Sequence, residues 1–285
     1  MSHQISVMVH TPAHSGIGGA LTYESDAAHT PGTLVRVPLG SRELLGVVWD
    51  ETKAHAQSSS VEAELPTLAP LQLRAIASVL EGVPPLSAHW RQLVQFAAHY
   101  YQRSAGEVAL AALPSQLRDL STEQWARRLK RKPKAVMAYE GANQTVPTPT
   151  DEQAQVLADI AANKGPFLLF GNTGSGKTEV YLRAAQTVLE DKPQAQILVM
   201  VPEINLTPQL EERFRARFCP QWGADCLVSM HSSLTPAQRL KNWLAAHNGE
   251  ARIVLGTRMA VFASMPHLQL IVVDEEHDPS YKQQE

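Results

Sequence analysis

Cysteine is nearly absent from this chain of 285 residues: there are two, Cys219 and Cys226. So few cysteines exclude a disulfide framework, and a single short spacing matches no zinc-ligand pattern, which leaves small buried thiols in a reducing compartment as the expectation. Long hydrophobic runs are missing too. No uninterrupted apolar stretch approaches the ~18 residues a membrane-spanning helix requires, and Met1-Ser2-His3-Gln4 lacks the basic start and apolar core of a leader. An excess of positive charge is also lacking. The formal net charge is −3, so any contact with nucleic acid has to come from local patches. Internal repeats and extended low-complexity tracts are absent. What remains is a chain with 44% apolar residues, enough for a buried core, and a length suited to about two domains. The expected location is the cytoplasm.

The first 114 residues have the pattern of a small α+β domain. Ile5 to Val9 is predicted as a strand. Thr33 to Val37 alternates as a half-buried strand, Pro38-Leu39-Gly40-Ser41 turns, and Glu43 to Trp49 completes a hairpin. Leu71 to Leu80 fits a strand or a helix equally. Ser87 is placed to cap an amphipathic helix over Ala88–Tyr101, with Trp90, Leu93, Val94, Phe96 and Ala97 as its apolar side. Residues 115–149 are predicted as a connector. It carries the densest basic run in the chain, Arg127, Arg128, Lys130, Arg131, Lys132 and Lys134, which fits either a solvated helix end or a phosphate-backbone contact.

From Thr150 the period changes. Short apolar strands are predicted at Phe167–Phe170, Gln196–Val201, Cys226–Ser229, Ile253–Gly256 and Leu268–Asp274, with helices between them. Unalternating strands of this kind fit a parallel sheet with helices on both faces, and such a sheet binds ligands at the carboxyl ends of its strands. Gly171-Asn172-Thr173-Gly174-Ser175-Gly176-Lys177-Thr178 lies between a predicted strand and a predicted helix, the context a phosphate-binding loop needs. Glycines let backbone N–H groups close around phosphate oxygens. Lys177 is expected on the β- and γ-phosphates and the Thr178 hydroxyl on Mg²⁺, so ATP with Mg²⁺ is the implied ligand. The apolar strand predicted at Leu268–Asp274 delivers Asp274 at its carboxyl end, 97 residues after Lys177. Asp274 is the expected metal-side carboxylate, and Glu275 the group that takes a proton from attacking water.

Asp274-Glu275-Glu276-His277 is similar to motif II of superfamily 2 helicases. With the segments Gly174–Leu182, Met200–Ile204, Leu206–Gln209, Gly256–Arg258 and Asp278–Gln283, in that order, the chain resembles the PriA family of primosomal replication-restart DNA helicases. The resemblance implies a RecA-like helicase lobe over residues 150–285, preceded by a domain over 1–114 that recognises a DNA 3′ end at a stalled fork. It implies 3′→5′ unwinding, single-stranded and forked DNA as substrates, and primosomal proteins and single-strand-binding protein as partners. Residue by residue, it places Gln153 in the adenine-reading segment, where a helix-capping amide is the other reading. It places Thr207, Thr257 and Arg258 on single-stranded DNA, and makes His277 a coupler between the nucleotide and DNA sites. Tyr281 falls in an aromatic-rich DNA-sensing loop, where stacking on a base and packing stand as alternatives. In the first domain it assigns Leu21, Thr22, Gly40 and Arg74 to the 3′-end pocket, although Arg36 and Arg74 read alone are also ordinary surface charges. Some family members carry an acidic residue where Thr22 stands.

Two departures accompany the resemblance. The connector is too short for the family's winged-helix domain, because even small domains need ~50 residues. A second α/β lobe with its γ-phosphate arginine, and the zinc-binding cysteines of the family, are not within these 285 residues. The expectation is therefore the amino-terminal part of a helicase, or else a truncated module that binds DNA and nucleotide without unwinding.

Overall fold

The computed structural model describes residues 2–11, 19–50, 73–129, 147–172 and 174–282. The chain divides into two compact units, Met1–Pro133 and Lys134–Glu285. Within the basic run, Lys130, Arg131, Lys132 and Lys134 lie outside the described residues, as do Thr173, Leu71 and Gln283.

In the first unit, β1 (His3–Val9), β2 (Leu21–Ser25), β3 (Leu34–Leu39), β4 (Arg42–Val48) and β5 (Ser78–Val79) form an antiparallel sheet in the order β2-β1-β4-β3-β5. The predicted hairpin is β3–β4. Its two-residue turn places Gly40 at φ +62°, a conformation that costs glycine little and suits the twist of paired strands. The sheet curls back on itself. Ala75 bridges to Glu24 of β2, with Glu24 N–H on Arg74 O and Ile76 N–H on Glu24 O, both at 2.9 Å, before the same segment joins β3 as β5. The ambiguous stretch around residues 74–79 is thus extended, because two strands with free edges compete for its backbone. Ile5, Val7, Val9, Tyr23, Val35, Val37 and Val48 fill the interior.

Helices cover this sheet. In α1 (Ala88–Tyr100) the Ser87 hydroxyl accepts from Trp90 N–H, as the sequence predicts. α2 (Ala105–Ala112) comes so close to β1 that a Cβ on Gly106 would meet Val9 O at 2.1 Å. One expectation for α1 is corrected. Phe96 is 65% exposed, because the buried stripe runs Trp90, Val94, Ala97, Ala98, and a residue two places from Val94 points to the opposite side. Phe96, Tyr100 and Tyr101 instead form an exposed aromatic group, with ring centroids 6.0 and 5.0 Å apart.

The segment predicted as a connector begins with two helices that pack within the first unit, α3 (Ser115–Asp119) and α4 (Thr122–Leu129). Trp125 Nε1 donates to Glu81 O at 2.9 Å. Arg36, open in the sequence to a surface reading, is 3% exposed. Its guanidinium donates to Leu117 O at 2.9 Å, to Arg118 O at 2.7 Å and to Leu120 O, which caps the carbonyl end of α3. Burial lowers the Arg36 pKa, partly offset by Glu43 and Asp119.

The second unit contains α5 (Asp151–Ala162), α6 (Lys177–Asp191), β6 (Gln196–Met200), α7 (Pro208–Trp222), β7 (Leu227–Met230), α8 (Pro236–His247), β8 (Ile253–Gly256) and β9 (Leu268–Val273). The strands are parallel, in the order β7-β8-β6-β9. Every residue of β6, β7 and β8 is buried, as expected for a sheet covered on both faces. β9 alternates instead. Leu270 and Val272 pack on the core, while Ile271 and Val273 are exposed. Cys219 and Cys226 are buried free thiols with sulfurs 3.8 Å apart, and burial raises the pKa of both.

The predicted strand at Phe167–Phe170 is not formed. The run is extended without ladder bonds, and Leu168 and Phe170 are 84% and 91% exposed. A strand needs a neighbour to take its N–H and C=O groups, and among the described strands none pairs with this run. The predicted helix near Arg258–Phe262 is a single 3₁₀ stretch.

Candidate nucleotide site and DNA-facing loops

The glycine loop has the backbone that phosphate binding requires. Gly174 and Gly176 both sit at φ +83°, and a Cβ on Gly171 would approach Ser175 Oγ to 2.7 Å. Gly176 is also the N-cap of α6 and brings no side chain to its first N–H groups, which leaves that positive helix end to an anion. Lys177 Nζ donates to Gly171 O at 2.7 Å and Asn172 O at 3.3 Å, so it lies along the loop it is expected to serve. Gln153 takes the helix-capping arrangement and also lies beside the glycine loop. Its Oε1 accepts from Thr150 N–H at 3.1 Å in a capping box, and its Nε2 reaches Gly176 O at 3.5 Å, beside the loop.

Asp274 directly follows β9, and its N–H donates to Met200 O at 2.8 Å, which keeps it in register with the end of β6. The carboxylate is held on both oxygens. Tyr181 Oη donates to Oδ2 at 3.2 Å, and Glu275 N–H donates to Oδ1 at 3.1 Å. Tyr281 Oη donates to the Asp274 carbonyl at 2.8 Å. Burial pushes the Asp274 carboxyl above the ordinary range, helped by the Glu275 charge and opposed by the Tyr181 hydrogen bond and the Lys177 charge. A carboxylate desolvated in this way gains from a cation, and with Thr178 in the first turn of α6 the residues fit a magnesium–nucleotide. Glu275 has φ +48°, a left-handed conformation in a residue that rarely adopts it, and such strain concentrates at functional positions. Its carboxylate lies 3.7 Å from the exposed His277 imidazole.

The raised Asp274 pKa has a consequence for stability. An acid whose pKa is higher in the folded state imposes no ionisation cost below its unfolded pKa and the full cost above its folded pKa. Asp274 therefore lowers stability as pH rises out of the acid range. Asp274→Asn should melt higher than wild type at neutral pH, and the difference should disappear in acid. Thermal scans at pH 7.5 and in the acid range check this.

The other expected site residues sit at the carboxyl ends of the same sheet. Thr207 is the exposed N-cap of α7, accepting from Leu210 N–H at 3.2 Å, and its hydroxyl proton is left to donate. Thr257 follows β8 and is 5% exposed, more enclosed than a phosphate donor on an open loop. Arg258 is exposed, and its Nη1 lies 3.4 Å from both Ser280 O and Lys282 O. It thereby holds the turn that carries Tyr281. The hydrogen bond from Tyr281 to Asp274 favours the packing reading over a ring free to stack on a base.

Three features were not read from the sequence. The His231–Ser233 loop follows β7 beside Thr257, whose N–H donates to Met230 O at 3.1 Å; Ser232 hydrogen-bonds Glu203, and Arg239 reaches Ser232 O at 3.1 Å. Only the strand order reveals this loop as part of the same edge. Glu179, buried in α6, faces Arg183 at 2.9 Å and Arg217 and Arg213 of α7 at 3.6 and 3.9 Å, joining the helix after the glycine loop to the helix after Thr207. The third feature is Tyr181.

In the first unit the structure brings Arg74 and Gly40 together, with Nη1 of Arg74 2.9 Å from Gly40 O. Tyr23 Oη donates to Pro38 O at 3.2 Å at the same end of β3, and Leu21 packs on the core beside Tyr23. Thr22 lies on the opposite strand face, exposed, paired across from Ser6.

Comparison with known proteins agrees with both units. Residues 6–114 match the PriA 3′DNA-binding domain (3′BD), and residues 150–285 match the DEAD/DEAH box helicase family. The replication restart protein PriA of Helicobacter pylori J99 is 33% identical over 266 residues, which is 93% of this chain and 36% of that protein. The PriA proteins of Bacillus subtilis and Haemophilus influenzae are 43% and 45% identical over 147 and 136 residues, 50% and 47% of this chain and 17% and 18% of theirs. The chain thus spans about a third of the length of the relatives that match it throughout. With a match to the PriA 3′DNA-binding domain and a match to the DEAD/DEAH box helicase family following one another in a single chain, it belongs to the PriA family of replication restart proteins.

Proposed function

We propose that this chain is the fork-recognising and ATP-binding part of a 3′→5′ DNA helicase that restarts replication. The observation that carries the reading is a convergence in the second unit. The Asp274 carboxylate and the loops of Thr207 and Arg258 follow the carboxyl ends of strands in one parallel sheet, and α6, which the glycine loop with Lys177 begins, reaches Asp274 through Tyr181. In this reading Lys177 neutralises the β- and γ-phosphates, and Thr178 and Asp274 hold Mg²⁺. The cation supplies Lewis-acid stabilisation of phosphate charge when bound. Glu275 accepts the proton of the attacking water. Thr207 and Arg258 bind the phosphates of a single strand, and Arg258 passes its position to Asp274 through the Ser280–Lys282 carbonyls and Tyr281.

The first unit holds the 3′ end. Arg74, fixed against Gly40 at the β3–β4 turn, is the cation of that site. Arg74→Ala should weaken binding of an oligonucleotide with a free 3′-hydroxyl by about tenfold, the worth of one charge-assisted hydrogen bond, with little effect on a 3′-blocked one. Fluorescence anisotropy with the two oligonucleotides checks this. Equal affinity of the wild-type chain for both would sink 3′-end recognition. By itself the 285-residue chain binds nucleotide and DNA. Unwinding, zinc ligation, and contacts with primosomal proteins and single-strand-binding protein, all in the cytoplasm, belong to the longer protein.

A further inference from the structure

Tyr181 lies one helical turn after Thr178, with its ring in the core and its hydroxyl at the candidate metal site. The ring is 7% exposed and stacks on Phe214 of α7, with centroids 6.3 Å apart and planes at 22°. Packing thus fixes where the hydroxyl points. The hydroxyl proton goes to Asp274 Oδ2 at 3.2 Å. Thr178 lies beside Tyr181 on the same face of α6, three residues before it. One hydroxyl therefore bonds the Asp274 carboxylate next to the other residue that would hold the cation. Glu275 N–H takes the other carboxylate oxygen, so the plane of the Asp274 carboxylate is set from two sides. A carboxylate oxygen accepts more than one bond, so each retains a lone pair for a cation.

We propose that Tyr181 is a positioning residue for divalent-cation binding: its hydroxyl, anchored by the stacked ring, aligns the Asp274 carboxylate toward the helix that carries Thr178. The inference rests on the nucleotide-site reading above. A buried phenol takes some partner wherever it lies. Here the partner is a half-buried carboxylate at the end of β9, reached from the helix that the glycine loop begins. The hydroxyl therefore fixes the distance between two elements that are far apart in sequence. Removing an outer hydrogen-bond partner of a metal ligand lowers metal affinity by about 10–100-fold.

The test uses the 285-residue chain with ATP as probe, titrated at a series of Mg²⁺ concentrations, and free Mn²⁺ read by electron paramagnetic resonance in a parallel series. Tyr181→Phe keeps the ring and the core. It should raise the half-saturating Mg²⁺ and Mn²⁺ at least tenfold, with ATP affinity in chelator unchanged. Phe214→Leu disturbs the packing beneath the ring and keeps the hydroxyl; it should lower the melting temperature and shift cation dependence much less. An unchanged cation dependence in Tyr181→Phe, where the wild type needs Mg²⁺, overturns the proposal alone. So does an equal shift in Phe214→Leu, which would make packing rather than the hydroxyl responsible. A wild-type chain that binds ATP equally with and without Mg²⁺ overturns the nucleotide-site reading and the proposal with it.

Discussion

Lys177→Ala should lower DNA-stimulated ATP hydrolysis by the longer protein by about 10²–10³-fold, the effect of removing one preorganised group from a developing phosphate charge. The size follows from how the lysine is held. It begins α6, and its ammonium already lies on the Gly171 and Asn172 carbonyls, so little ordering remains when phosphate takes their place. Nothing in the core depends on it, since the buried face of α6 is Val180, Tyr181, Leu182, Ala185 and Leu189. The variant should therefore melt within about 1–2 °C of wild type while losing ATP affinity in the 285-residue chain. An unstable variant would shift the role of Lys177 from phosphate binding to loop structure.

Arg36→Met should destabilise the first unit by about 3–5 kcal/mol, the usual cost of deleting a buried charged group that several acceptors depend on. The three carbonyls at the end of α3 accept from this guanidinium across more than eighty residues of sequence, and methionine would leave them without that donor. The substitution should detach α3 and α4 from the sheet before the strands separate. Urea unfolding followed by tryptophan emission reports this directly, because Trp125 of α4 donates to Glu81 O and would be released early. A midpoint unchanged from wild type would mean that solvent satisfies those carbonyls as well as Arg36 does.

The sequence made the chemistry legible where a motif is local. Gly171 to Thr178, Asp274 to His277 and the Ser87 cap each lie within ten residues of chain, and backbone conformation there follows from residue type. The β3–β4 hairpin is of the same kind. Long-range placement was less visible. Phe167–Phe170 has the apolar composition of a strand, but a ladder depends on a neighbour, and composition does not say whether one is present. Phe96 has the composition of a core residue but lies two places from Val94 on α1, and which face of that helix is covered depends on its packing against α2. Arg36 could not be told from a surface arginine, since its partners are backbone carbonyls that any sequence supplies. Tyr181 and Glu179 were hidden for the same reason: their roles depend on β9 and α7 coming alongside α6.

The placement of Asp274 ties the parts of the account together. Its register comes from β6, its carboxylate from Tyr181, its carbonyl from Tyr281, and the turn bearing Tyr281 from Arg258. If that chain of contacts links a DNA-binding loop to a metal-side carboxylate, a strand bound at Arg258 alters hydrolysis. The direct measurement is the ATP hydrolysis rate of the longer protein with no DNA and with saturating forked DNA bearing a free 3′-hydroxyl, for the wild type and for Arg258→Ala. A rise of about tenfold or more with DNA is expected in the wild type, and a much smaller rise in Arg258→Ala at equal nucleotide affinity. A rate that is the same with and without DNA would contradict it.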